Sequence, residues 1–151
     1  MKNRWAAQLV VLALFVFLPR LVVAQQGSQQ GRDNKSGALG QNYPNPFNPE
    51  TTIPFTIGGG SSCSDLGKQY RFTLRIFNVL AQLVAVPRLQ GGDANVSGGT
   101  YLENVYLTCG DYTAYWDGKF LKSDREVASG IYIYRLEVDG KPFLKKMIVQ
   151  K

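Results

Sequence analysis

The sequence predicts an all-β protein, an antiparallel β-sandwich of about seven short strands, and three features predict it. Beyond residue 50, apolar side chains recur at every second position in short runs, the period of a strand with one buried face. Gly, Asp, Asn and Pro interrupt these runs about every 8 to 12 residues, the spacing of sandwich turns. No stretch after residue 25 carries apolar residues at helical spacing. With 44% apolar and 12% aromatic residues, the chain has enough side-chain volume for a packed core.

The first element is an address. Met1 to Arg4 carry Lys2 and Arg4, Trp5 to Leu18 run apolar with Gln8 alone interrupting, and Pro19 and Arg20 end the run. Val22 and Ala24 then occupy the −3 and −1 positions before Gln25, completing the pattern of a secretory signal peptide over residues 1 to 24. The apolar run is shorter than the roughly 20 residues a membrane span needs. Its removal takes away Lys2, Arg4 and Arg20, so the formal charge falls from +6 to +3, with 14 basic residues against 11 acidic. No Lys/Arg cluster interleaved with aromatics remains, and nucleic acid is not an expected partner. Export also places Cys63 and Cys109 in an oxidising compartment, where a disulfide between them is expected.

Residues 25 to 40 (QQGSQQGRDNKSGALG) are polar and Gly-rich, the composition of a flexible leader. Three prolines in the next segment, Pro44, Pro46 and Pro49, exclude helix. Thr51 to Ile57 is β-branched and aromatic, with Pro54 assigning it to a sheet edge or a bulge. Tyr70 to Val79 alternates, placing Tyr70, Phe72, Leu74 and Ile76 on one face. Leu83 to Val86 makes a short partner stopped by Pro87, the polar interval 88 to 99 reads as loop, and Thr100 to Thr108 reads as an edge strand. Asp111 to Trp116 alternates again before an Asp117-Gly118 turn. Ile131 to Val138 and Lys141 to Lys151 flank Asp139-Gly140, the strongest short-range hairpin signal. The last strand has mixed faces, Phe143, Lys145, Met147 and Val149 against Leu144, Lys146 and Ile148, as at an edge.

Five ordered segments together resemble one family. They are Asn42-Tyr43-Pro44-Asn45-Pro46-Phe47-Asn48-Pro49, Ile76-Phe77-Asn78-Val79-Leu80, Trp116-Asp117-Gly118, Val127-Ala128-Ser129-Gly130-Ile131-Tyr132, and Lys146-Met147-Ile148. Over Leu39 to Lys151 the chain resembles the type IX secretion system C-terminal sorting domain (type A), which is related to the Ig-like domain of flagellar hook-capping proteins. The resemblance implies an Ig-like sandwich over residues 41 to 151. The chain departs from the family pattern at Ala81, where the turn after the second strand usually holds Gly, and at Ser123-Asp124, where the loop commonly does. It also carries an insertion around Leu89 to Glu103, together with the two cysteines.

Read from the residues, most motif positions are architectural. Trp116, with Asp117 and Gly118 shaping its exit, is expected to plug one end of the sandwich, and Gly130 to supply a φ that side chains resist. Asp117, Asp124 and Asp139 lie at separate turns and do not form a calcium loop. No metal and no cofactor is expected. With no histidine there is no imidazole for a catalytic relay, and the expectation is that the chain is not an enzyme.

The resemblance implies export across the inner membrane, then recognition by the type IX outer-membrane translocon and removal by a sortase-like peptidase, ending at the cell surface or outside. Contact with the membrane is confined to export. Recognition is expected on the terminal hairpin, at Phe143, Lys145, Lys146, Met147, Val149 and Lys151, with the last strand as a pairing edge. The alternative is a structural or adhesive Ig-like module that binds carbohydrate on Trp116, Tyr132 and Tyr134, although aromatics spaced by two in a strand are usually core.

Overall fold

The computed structural model describes residues 36–59, 63–92 and 96–151, all within one compact unit, Gly31–Lys151. The signal-peptide segment and most of the leader lie outside the described residues. Among the described residues nine strands form: β1 (Gly37–Leu39), β2 (Thr51–Ile57), β3 (Gln69–Asn78), β4 (Leu83–Ala85), β5 (Arg88–Gln90), β6 (Val105–Thr108), β7 (Gly110–Trp116), β8 (Gly130–Val138) and β9 (Lys141–Val149). They build two antiparallel sheets, one ordered β1-β2-β7-β5 and the other β4-β3-β8-β9, with β6 pairing the first residues of β3. The protein is an all-β sandwich.

Alternation in the chain becomes the two inner faces. Ile53, Phe55 and Ile57 of β2 and Ala114 and Trp116 of β7 face Tyr70, Phe72, Leu74 and Ile76 of β3 and Tyr132, Tyr134, Leu136 and Val138 of β8, all buried. Phe55 stacks on Phe72 with ring centroids 4.6 Å apart, joining the sheets at mid-core. Burying a side chain of this size contributes about 1.5–3 kcal/mol, so these pairs outweigh any single surface contact.

Several expectations are corrected. The leader ends earlier than residue 40, because Gly37 to Leu39 pair with Ile57 to Phe55 and Leu39 is buried; one apolar residue at the right register suffices to add a short strand. β2 is not an edge, since β7 pairs its whole length and β1 covers its other side. Pro54 is tolerated there because β1 stops opposite Phe55. The Pro54 carbonyl, on that same side, accepts from the Gly40 N–H at 2.8 Å, and the missing N–H faces the space beyond β1. The interval 88 to 99 contains β5, whose inward Leu89 is buried. The strand expected over residues 100 to 108 is confined to Val105–Thr108. The hairpin residues Met147 and Val149 belong to the core.

Cys63 and Cys109 form a disulfide, with Cα atoms 5.6 Å apart and a sequence separation of 46. It ties the segment after β2 to the junction of β6 and β7. Ala81 does adopt the left-handed conformation that the family's glycine would take, at φ 58°. In the loop after β7 the left-handed residue other than glycine is Lys122, at φ 57°, and not Asp124.

Candidate recognition surface

Three segments separated in sequence close one end of the sandwich. Phe47 meets Trp116 edge-on with ring centroids 5.4 Å apart, and Trp116 meets Tyr132 edge-on at 5.9 Å. All three rings are buried. Their polar atoms are satisfied locally, as burial requires: Trp116 Nε1 donates to the Lys119 carbonyl at 2.9 Å, and the Tyr132 hydroxyl donates to the Ala128 carbonyl at 3.0 Å. Asp117 Oδ1 accepts from the Lys119 N–H at 3.1 Å, while the Gly118 carbonyl accepts from Val127 N–H at 2.8 Å. Gly118 has φ 72°, and a Cβ there would run into the Pro49 carbonyl. Gly130 sits at φ 155° where β8 begins.

This packing removes the proposed sugar platform. Trp116, Tyr132 and Tyr134 are 3%, 7% and 0% exposed, so no face of these rings is available to stack on a ligand.

The proline segment is bound to both sheets. The Tyr134 hydroxyl reaches it from β8, while Asn42 Nδ2 donates to Thr51 Oγ1 at 3.0 Å and to the Pro44 carbonyl at 3.1 Å. Asn42 and Thr51 are both 2% exposed, so these bonds replace water for groups that would otherwise carry a full desolvation cost. Pro44, Asn45 and Pro46 are exposed. Asn45 Oδ1 accepts from Ile148 N–H at 2.9 Å, Phe47 N–H donates to the Ile148 carbonyl at 3.1 Å, and Gln150 N–H donates to the Phe47 carbonyl at 3.0 Å. Gln41 Nε2 donates to the Lys146 carbonyl at 3.1 Å.

Those bonds redraw the expected recognition strand. β9 is an edge, but its outer side from Lys146 to Gln150 is already occupied by residues 41 to 47, so the whole strand cannot serve as a pairing surface. Of the expected residues, Met147 and Val149 point into the core and Phe143 is half-buried. Lys151 is held at 2.6 Å by the Glu126 carboxylate, whose carboxyl the Lys151 ammonium holds below the ordinary range. Lys145 and Lys146 stay exposed, with no carboxylate within ion-pair distance among the described residues. Beside Lys146 on the outer face, Leu144, Ile148 and Ile131 are 59%, 40% and 52% exposed, with Ile131 directly opposite Ile148. The surface that remains is Lys141 to Lys146 plus this apolar strip, a combination that strand periodicity alone does not single out.

No family model and no curated protein matches the chain. A solved structure, Pseudomonas fluorescens alkylpurine DNA glycosylase AlkC bound to DNA containing an abasic site analog, is similar over 77% of this chain at 11% identity and a TM-score of 0.43. The chain spans 31% of that structure. Since the protein matched is an enzyme, the expectation that this chain is not one is withdrawn. A likeness at this level assigns no activity in its place.

Proposed function

We infer that the sandwich is a sorting domain that directs delivery to the cell surface through the type IX system, with the β8–β9 hairpin as the part the translocon reads. The observation that supports this reading is the meeting of Phe47, Trp116 and Tyr132. Each ring comes from a different segment of the resemblance, and Phe47 is in turn bonded to Ile148 of a fourth. Segments matched by chance have no reason to pack on one another; segments that share one architecture do. The exposed Lys146 between Leu144 and Ile148 supplies charge and apolar area on one outward strip, with the exposed Lys145 on the other side of the same strand, the composition of a docking surface.

The test is a reporter carrying a signal peptide and followed by Gly31–Lys151, expressed in a type IX host with the system intact or disrupted. Surface delivery is expected only in the intact host, and K145E/K146E is expected to lower delivery without changing the melting temperature. Delivery that persists in the disrupted host refutes the reading.

A further inference from the structure

A cleft of about 780 Å³ opens beside β5, between the loop of Gly98 to Tyr101 and the loop of Asp117 to Asp124. Its size is that of a small-ligand site. It is independent of the sorting surface, and one wall belongs to the insertion that the family pattern lacks. The buried Leu89 and Trp116 lie beneath it, and the rings of Tyr101 and Tyr115 line it with Gln90.

The charges around it are unequal in their partners. Asp124 pairs with Lys119 at 3.6 Å, and Asp117 already receives the Lys119 N–H. Arg88 and Lys122 also line the cleft, and neither has a carboxylate within ion-pair distance among the described residues. The Arg88 guanidinium lies over the Tyr101 ring at 4.7 Å, and its Nη2 donates to the Tyr101 hydroxyl at 2.8 Å. One plane of Arg88 is thereby fixed while donors remain for a ligand. Lys122 is held in the left-handed region, an arrangement that costs about 1–2 kcal/mol for a side chain and that often marks functional positions.

We propose that this cleft binds an acidic saccharide, its carboxylate or sulfate held between Arg88 and Lys122 and its ring lying along Tyr101 and Tyr115. A peptide strand fits less well, because the outer edge of β5 is closed: Leu89 N–H donates to the Thr100 carbonyl and Gly99 N–H to the Leu89 carbonyl, both at 2.8 Å. What the cleft offers is side-chain hydroxyl, carboxamide and guanidinium groups beside aromatic rings, which suits a hydroxyl-rich ring bearing an anion.

The purified chain is titrated by NMR with a hexamer of galacturonate, a sulfated heparin hexamer, maltohexaose and hexaglutamate. At least one charged saccharide is expected to bind, with affinity that falls as salt rises and is about tenfold or more above that for maltohexaose. Arg88→Gln is expected to weaken binding about tenfold. Lys122→Gly is expected to weaken it about threefold with an unchanged or higher melting temperature, because glycine relieves the backbone. The proposal is overturned if neither charged saccharide binds, if maltohexaose or hexaglutamate binds as tightly, or if both folded variants bind like the parent.

Discussion

The hydroxyl of Tyr134 holds the backbone around Asn42, 92 positions away. It accepts from the Asn42 N–H at 3.1 Å and donates to the Gly40 carbonyl at 2.8 Å. A strand residue from the middle of one sheet thereby orients the proline segment and, through it, Phe47 at the closed end.

Tyr134→Phe leaves those two backbone groups without their partner. A buried group so orphaned costs about 1–3 kcal/mol, so the variant is expected to unfold at lower urea with an unchanged slope. An equal midpoint would mean that water takes over both bonds.

Stability is expected to fall in alkali. Burial raises the Tyr134 and Tyr132 phenols above their usual value. The hydrogen bond to the Glu50 carboxylate, with burial second, pushes Tyr115 up to about 12. A raised native pKa means that the unfolded chain ionises first, so this contribution is fully present below pH 10 and is lost as pH rises through the native values. Denaturation midpoints measured from pH 9 to 12 should be level at first and then decline, with Tyr115→Phe declining less. A midpoint that rises above pH 10 contradicts this.

Two left-handed positions should respond in opposite directions. Gly118→Ala combines positive φ with a collision against Pro49 and is expected to destabilise by about 2 kcal/mol or more. Ala81→Gly removes the cost of a side chain at φ 58°, and a gain of about 0.5–1 kcal/mol is expected. Differential scanning calorimetry of both variants reads the two signs side by side.

Trp116→Ala empties the aromatic end and is expected to cost about 3–5 kcal/mol. Because Phe47 and Tyr132 both lean on that ring, the proline segment should also lose amide protection in hydrogen exchange. A loss confined to β7 would show that Phe47 is anchored by the β9 bonds alone.

Replacing both cysteines by serine frees a loop closed over 46 positions and is expected to lower stability by about 2–4 kcal/mol. Chemical denaturation of the parent with and without reductant should reproduce that difference.

Much of the fold was legible because strand burial writes itself at period two. In β3 alternation identifies the inward residues one by one, and the Asp139-Gly140 turn locates the hairpin of β8 and β9. β1 and β5 were missed because each is three residues long and carries a single inward apolar side chain, Leu39 or Leu89, too little for any period. The recognition hairpin was half legible. Alternation placed Met147 and Val149 on one face but could not say that this face was the core, nor that residues 41 to 47 cover part of the outer edge.

By itself the sequence determined the two-sided strands, their turns and the aromatic residues available for the core, since these depend on neighbours within a few positions. Which residues meet across long separations was decided only by the tertiary structure: Tyr134 with Asn42, Phe47 with Trp116, Arg88 with Tyr101. Contacts of that kind depend on how two sheets twist and stack, which no local pattern encodes. The cleft beside β5 arises in the same way, from two loops on either side of β6 and β7 that come together when Leu89 and Trp116 are buried.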